Sequence, residues 1–356
     1  MKTFYASLSE AQRLNAVQRL TALWAFTECG LGGIMHALQI PFTGLLVGGM
    51  AVIMICIIAE LSAPDYKLIV KSALIVLIVK AMISPYTPFP AYIAVGFQAL
   101  LGYLLFRTMR VNLISIVLLS IIAMLESAIQ KILILTLFFG ESLWKAMDSL
   151  IALLAKQFGS IVANGSYWII GIYLLLYIAG GFFIASLAYR IIKNFNADKT
   201  LVILDTTLLI QAGLLNANKN KSKNHYRKLW LLILVMFCLS AVLFIAAADH
   251  ETGWLSVAKT ISWTLSVILA WFMLIGPLFT KAIQKLLKKK ESRYSDEVLR
   301  ALSFLPVLKQ LTVLAWQQSK SQPGISRWHF FFTALIHATL TYSESLVPEI
   351  NLNKAV

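Results

Sequence analysis

The sequence predicts an all-α, polytopic membrane protein. Hydrophobic residues make up 59% of the 356 residues and charged residues only 13%, and the mean hydropathy is +0.78. Soluble domains carry about 25% charged residues, so this composition excludes them. Apolar runs close to 20 residues long recur along the chain, which is the length that a helix needs to cross about 30 Å of hydrocarbon.

The net charge of +15 is distributed as in a membrane protein and not as in a nucleic-acid-binding one. Most of the 31 basic residues lie in alternate loops between the apolar runs, as the positive-inside rule requires of cytoplasmic segments. This bias places the N-terminus inside and predicts the bacterial cytoplasmic (inner) membrane. The N-terminal segment MKTFYASLSEAQRLNAVQRL lacks the apolar core of a signal peptide, so we expect the first helix to be retained.

The apolar runs and a polar linker divide the chain into two predicted membrane domains. We expect spans at about 21–39, 42–62, 68–84, 90–106, 112–138, 166–190, 229–248 and 256–280, and a segment at 329–345 that spans, re-enters or lies on the membrane. The basic, Asn-rich stretch 195–228 is typical of a cytosolic linker. It separates a six-helix domain, 1–194, from a C-terminal membrane module, 229–356.

The first two spans form a tight helical hairpin with small residues at helical spacing. Close packing is expected at Ala25, Cys29, Gly33, Ala37, Gly44 and Gly48, because small side chains let helices approach closely in lipid. The three cysteines, Cys29, Cys56 and Cys238, lie in apolar runs without metal-binding or disulfide spacing, and we interpret them as packing residues.

The fifth and sixth spans are joined by a long predicted external segment. Apolar residues on one side of 141–156 predict an amphipathic helix along the outer surface, where it would act as a lid. Asn164 begins an NGS sequence that we interpret as the start of the sixth helix.

Polar and aromatic residues concentrate in the predicted outer half of the first domain. We take the following as candidate ligand-binding residues: His36, Gln39, Lys80, Tyr86, Tyr92, Gln98, Glu126, Gln130, Trp144, Asn164 and Trp168. An outward cavity with apolar walls and a few polar groups is typical of a small-molecule site. Two alternatives stay open, since intramembrane polar residues also join helices and interfacial aromatic residues also anchor them.

Charged residues inside the spans carry the strongest constraint. A buried carboxylate such as Glu28 or Glu126 must be protonated, paired or solvated. We expect Lys80 to pair with Glu126, because both lie at a similar predicted depth.

Enzyme motifs are absent from the sequence. The chain has no HExxH, GxSxG, DDxxD or GxxxxGK[ST] motif, so we expect neither catalysis nor a cofactor nor a metal.

The segment that begins at Ser295 predicts a cytosolic amphipathic helix at about 295–318. Its apolar positions Val298, Leu302, Leu305 and Leu311 have no obvious place to bury in a two-span module. We expect them to dock a partner, with a helix lying on anionic lipid as the alternative.

The first domain resembles the substrate-capture (S) subunit of energy-coupling factor (ECF) transporters. The stretches GLGGIMHALQIPFTGLLVGGMA and SPYTPFPAYIAVGFQALLGYLLFR are similar to the helix 1–2 and helix 3–4 regions of such subunits, and the resemblance covers about 12–192. It implies capture of a vitamin or similar micronutrient from outside. It also implies that the S subunit then topples against a transmembrane T subunit, a motion that two cytosolic ATPases drive. In that family helix 1 meets the T subunit through AxxxA, for which this chain has the looser series that begins at Ala25. Residues 195–356 have no counterpart in an S subunit.

We therefore expect a non-catalytic transport subunit that works with membrane subunits and ATPases, binds a small metabolite and contacts lipid but no nucleic acid. A structural or scaffold subunit of a larger membrane assembly is the main alternative, and a membrane enzyme is a third class.

Overall fold

The computed structural model describes residues 9–37, 42–84, 87, 89–157, 159, 164–196, 278, 281–282, 285–288 and 293–342. All regular elements in these ranges are helices, so the predicted all-α class is confirmed for this part of the chain. The helices are α1 (Glu10–Phe26), a π-helical segment (Thr27–Leu31), α2 (Gly32–Ala37), α3 (Thr43–Ser62), α4 (Lys67–Ile83), α5 (Phe89–Met109), α6 (Leu113–Gln157), α7 (Gly165–Asn196), α8 (Ser295–Ser319) and α9 (Gly324–Thr341).

Five of the described helices are long and apolar enough to cross a membrane. They are Thr43–Ser62, Phe89–Met109, Leu113–Gln157, Gly165–Asn194 and Ser295–Ser319. These helices fit a multi-pass membrane protein. The predicted first span, 21–39, covers the end of α1, the π-helical segment and α2. The predicted third span falls on α4, whose 17 residues reach about 25 Å at about 1.5 Å per residue. The predicted spans at 229–248 and 256–280 and the linker at 195–228 lie almost wholly outside the described residues, as does Cys238.

Two compact units divide the described residues. The first comprises 9–130, 172–196 and 281–342, and the second comprises 131–171 together with Leu278. Helices α8 and α9 therefore belong to the same unit as α1 to α5.

Helix α3 forms the centre of the first unit. Every residue from Val47 to Ala59 is buried, and α1, α4 and α5 pack around α3. A helix that is apolar on all sides is stable only when other helices cover it. The pattern GLLVGGMAVIMICIIAELS has that character, with glycines at its start that admit the neighbouring helices.

Helix α1 begins before the first predicted span because a capping box fixes its start. The Ser9 hydroxyl accepts a hydrogen bond from the Gln12 amide at 3.3 Å, and the Ser9 amide donates to Gln12 Oε1 at 2.9 Å. The two bonds satisfy two backbone N–H groups at the helix terminus that have no partner within the helix. The helix then runs to Phe26, where the π-helical segment interrupts it.

Helix α6 is broken at Gly140, where φ is 64° and ψ is −156°. Only glycine adopts this region readily. The break separates 113–139 from 141–157, in agreement with the predicted end of a span and the start of a separate helix at 141. Helix α7 begins at Gly165, directly after Asn164, and the Ser166 amide donates to Asp148 Oδ1 at 2.7 Å.

Helix α8 buries its apolar side inside the chain. Val298 and Leu311 are 1% and 2% exposed, and Leu302 and Leu305 pack partly buried against the core. Helices α1, α4 and α9 cover them, and Lys71 Nζ pairs with Glu297 Oε1 at 2.8 Å at the edge of this contact. The expectation that these four positions have no place to bury was therefore wrong, because the first-domain helices supply the covering surface. Helix α8 is also long and apolar enough to cross a membrane, which the prediction of a cytosolic helix did not anticipate.

Candidate functional site

A buried ion pair joins the first helix to α4. Lys80 Nζ lies 2.6 Å from Glu28 Oε2, and each side chain is 5% exposed. Lys80 occupies the last turn of α4, whereas Glu28 occupies the π-helical segment. The expected Lys80–Glu126 pair is thus wrong, because Glu28 is the carboxylate that meets the ammonium. An ionic group in an apolar environment requires such a partner.

The π-helical segment gives Glu28 its position. The stretch TECGLGG interrupts an apolar run with two polar residues and three glycines, which form helix poorly. The Thr27 hydroxyl donates to the Trp24 carbonyl oxygen at 2.8 Å, and the Gly32 amide donates to the Thr27 carbonyl oxygen. A single wide turn of this kind occurs frequently at functional sites.

Tyr92 on α5 completes the surroundings of the ion pair. The Lys80 ammonium lies 5.9 Å from the centre of the Tyr92 ring, within range of a cation–π contact. Tyr92 is 3% exposed, and its hydroxyl makes no well-formed hydrogen bond among the described residues, although the Thr87 side chain is its polar neighbour. Cys29, the next residue after Glu28, is half-buried.

A second set of side chains, from α5 and α6, surrounds the glycines of α3. A Cβ atom added at Gly48 would lie 3.0 Å from Gln98 Nε2 and 3.3 Å from Met124 Cε, and one added at Gly44 would lie 3.0 Å from Ser127 Cβ. Gly44 and Gly48 therefore admit side chains of α5 and α6 to the surface of α3. Gln98 is 2% exposed, and its Oε1 atom has no hydrogen-bond partner in the part of the chain that is described.

Glu126 and Gln130 follow one turn apart on α6. Gln130 Nε2 donates to the Pro90 carbonyl oxygen at 3.1 Å and so links α6 to the start of α5. One carboxylate oxygen of Glu126 is buried without a hydrogen-bond partner among the described atoms. A buried polar atom of this kind calls for an explanation, such as a bound ligand or water.

Three aromatic residues beside Gly44 were not among the predicted site residues. Phe42 lies 6.2 Å from both Tyr173 and Tyr177, measured between ring centres, and the two tyrosine hydroxyls are 3.2 Å apart. Phe42 holds a φ of 63°, which is unusual for a residue other than glycine and is associated with ligand sites. The spacing of the tyrosines by four residues on one helix was the available signal in the sequence.

The predicted site residues are not all brought together. Lys80 and Tyr92 lie at the ion pair, Gln98 packs on α3, and Glu126 and Gln130 lie on α6. Trp144, Asn164 and Trp168 belong to the second unit, where Trp144 Nε1 donates to Thr136 Oγ1 at 3.1 Å and Trp168 is 68% exposed. Gln39 and Tyr86, and the side chain of His36, lie outside the description.

The small-residue series on the first helix does not form one packing surface. Ala25 is fully buried and Cys29 is partly buried, but Gly33 is exposed, and no atom of the described residues lies within 4 Å of an added Cβ. The expectation for Gly33 was wrong because the π-helical turn between Ala25 and Gly33 changes the register. Gly32 faces Val47 of α3 instead. The side chain of Ala37 is outside the described set.

Metal ligands are not grouped in this site. Among the described residues, no three His, Cys, Asp or Glu side chains lie close enough together to hold a metal ion.

Comparison with known proteins identified no relative. No protein-family model, no curated protein and no solved structure matches the chain.

Proposed function

We propose that this protein is a non-catalytic membrane transport subunit that binds a small metabolite. The buried Glu28–Lys80 pair carries this proposal, because ionisable residues among membrane-spanning helices mark substrate or ion pathways. Each ion is 5% exposed, so both have lost their hydration. Replacing such a pair with apolar residues often leaves the stability of the fold unchanged or raises it. The presence of the pair is therefore weak evidence that its role is only to stabilise the fold.

Buried unpartnered polar atoms in the same helical unit support a binding role. The Tyr92 hydroxyl, Gln98 Oε1 and one Glu126 oxygen are buried without a partner among the described residues. Each such atom costs about 1–3 kcal/mol when it stays unsatisfied. A ligand that offers hydrogen-bond donors would recover part of this cost.

The larger assembly in this proposal follows the resemblance of about 12–192 to ECF S subunits. The six-helix domain captures the metabolite from outside, and partner membrane and ATPase subunits supply the energy. The protein then resides in the bacterial inner membrane with its N-terminus inside. The basic residues of the alternate loops support this orientation.

The proposal is tested by ligand-dependent thermal unfolding of the purified full-length protein in nanodiscs. The panel contains vitamins, nucleobases, amino acids and sugars. A saturable rise in Tm with one compound supports the proposal, since a ligand at 100 times its Kd stabilises by about 2.7 kcal/mol. The compound should lose its effect in Lys80→Met but not in Lys145→Met, whose lysine belongs to an ion pair with side chains 76% and 84% exposed.

A structural subunit is the second candidate, and the closed geometry of the pair favours it. Glu28 and Lys80 satisfy each other directly, and Gln130 links α5 to α6. In that case no compound in the panel raises Tm. Co-purification from native membranes then yields a stable complex without ATPase subunits.

A further inference from the structure

We infer that the Glu28–Lys80 pair is the charge-recognition element of a site for a small zwitterion of the α-amino acid class. This inference rests on the proposed transport function and names the substrate class of that site. It goes beyond a general small-molecule site because the two buried charges decide which ligands are admissible.

Charge balance selects the zwitterion. The closed pair contains one carboxylate and one ammonium at 2.6 Å, both 95% buried. A ligand that carries one ammonium and one carboxylate can separate them, pairing its ammonium with Glu28 and its carboxylate with Lys80. The site is then neutral before and after binding. A purely anionic or cationic ligand leaves one protein charge without a counter-ion, which is strongly unfavourable in an apolar interior.

The surroundings of the pair provide a further ligand contact. The Tyr92 ring lies under the Lys80 ammonium at 5.9 Å, and the buried Tyr92 hydroxyl makes no well-formed hydrogen bond among the described groups, with Thr87 as its polar neighbour. A hydroxyl can donate to a carboxylate, so the zwitterion's carboxylate would meet an ammonium and a hydroxyl together. This second observation is independent of the ion pair, since a lock between two helices needs no unpaired hydroxyl.

An approach to the pair lies along the π-helical segment. Cys29 and Gly30 are half-buried, Leu31 is 40% exposed, and Gly33 is exposed with no described atom within 4 Å of an added Cβ. In the described part of the chain, exposure therefore rises within three residues of Glu28. The weak helix formers in this segment lower the cost of opening it.

The test compares ligands that differ only in charge. The full-length protein in nanodiscs is titrated with the 20 proteinogenic L-amino acids, their α-amides, which are cationic, and their N-acetyl derivatives, which are anionic. The comparison of each amino acid with its two derivatives is made for those with uncharged side chains, because acidic and basic side chains change the net charge of the derivatives. Binding is followed by Tm and by isothermal calorimetry. We expect at least one neutral zwitterion to bind saturably, and we expect its amide and its N-acetyl derivative to bind at least 100-fold more weakly.

Variants of the pair test the assignment to these residues. Lys80→Met and Glu28→Gln should each weaken the zwitterion at least 100-fold, whereas Lys145→Met should not. The charge-reversed variant Glu28→Lys/Lys80→Glu keeps a neutral pair and should retain the preference for zwitterions over both derivatives. That preference is also measured in the wild-type protein, so it does not depend on the folding of any variant.

The failure of this inference is distinguishable from failure of the proposed function. Equal binding of a zwitterion by wild type and Glu28→Gln/Lys80→Met overturns the inference, because the charge contacts then lie elsewhere. Saturable binding of only a vitamin, a nucleobase or a singly charged compound overturns it too and leaves the transport proposal standing. Failure of every compound in both panels rejects the proposed function and the inference together.

Discussion

The ion pair between Glu28 and Lys80 predicts a strong coupling between two substitutions. Both ions are 5% exposed, so Glu28→Gln alone leaves a buried ammonium and Lys80→Met alone leaves a buried carboxylate. Removal of one partner of such a pair costs about 3–5 kcal/mol. At about 2–4 °C per kcal/mol, this corresponds to a fall in Tm of about 6–20 °C.

The double variant should recover most of this loss. Glu28→Gln/Lys80→Met contains no uncompensated ion, so the two single effects are not additive. Because the double variant should lose less stability than either single variant, the coupling free energy from the double-mutant cycle should exceed a single loss, which is about 3–5 kcal/mol. Unfolding of the detergent-solubilised protein, followed by tryptophan fluorescence against denaturant and temperature, provides the measurement.

Two controls make the cycle specific. Lys145→Met removes one partner of the exposed Lys145–Glu141 pair and should change stability by less than about 1 kcal/mol. Combining Glu126→Gln with Lys80→Met tests the pairing that the sequence had suggested. Additive effects in the Glu28 cycle, or a large coupling in the Glu126 cycle, would refute the reasoning.

Five further substitutions test the packing and backbone conformation of the helices in the same unfolding assay. In α5, Gly102→Ala should destabilise by about 1–3 kcal/mol, because its Cβ would lie 2.6 Å from a side-chain methyl group of α3. Gly96→Ala in the same helix has open space and should be neutral or gain up to about 1 kcal/mol; equal losses would contradict this packing. Gly140→Ala should cost about 1–3 kcal/mol, because Gly140 holds a backbone conformation almost restricted to glycine, and an unchanged Tm would argue against the break. In α8, Leu308→Ala should cost about 2–5 kcal/mol, whereas Leu299→Ala, at a position 61% exposed, should stay within about 0.5 kcal/mol; the reverse order would mean that α8 faces outward with its other side.

The helical class and several helix ends followed directly from sequence patterns. Apolar runs of about 20 residues mark α3, α5 and the first part of α6, because hydropathy over one span reports a physical requirement for crossing a membrane. The predicted boundaries at 138–141 and at Asn164 coincide with backbone conformations that most residues avoid, at Gly140 and at Asn164 itself. These signals are local and need no knowledge of neighbouring helices.

The partner of Lys80 could not be found in this way. Depth along a span can be estimated from sequence, but the rotation of each helix about its axis cannot, and the π-helical turn at Thr27–Leu31 changes that rotation within one span. Glu28 and Glu126 were therefore both candidates. The signal that would have favoured Glu28 was its position in TECGLGG, where glycines make an irregular turn more favourable.

The burial of α8 shows a second limit of pattern analysis. A helix with an apolar side fits a lipid surface, a partner protein or another part of its own chain equally well. The linker between the two predicted domains suggested that α8 lies apart from α1. The structure instead covers its apolar side with α1, α4 and α9, a long-range contact that no periodicity encodes.

Stability of the double variant separates a structural role of the ion pair from a binding role. If Glu28→Gln/Lys80→Met unfolds at the wild-type temperature or above, the fold does not need the pair, because packed neutral side chains replace buried ions without loss. The two ions, 2.6 Å apart and each 5% exposed, would then have a role other than stability. Loss of ligand binding in the same variant would identify that role as binding. If the double variant is as unstable as the single variants, the pair contributes hydrogen bonds that neutral groups do not reproduce, and the structural role is favoured. The comparison uses the same protein preparation for both measurements, so stability and binding are read from one variant without assuming which role is correct.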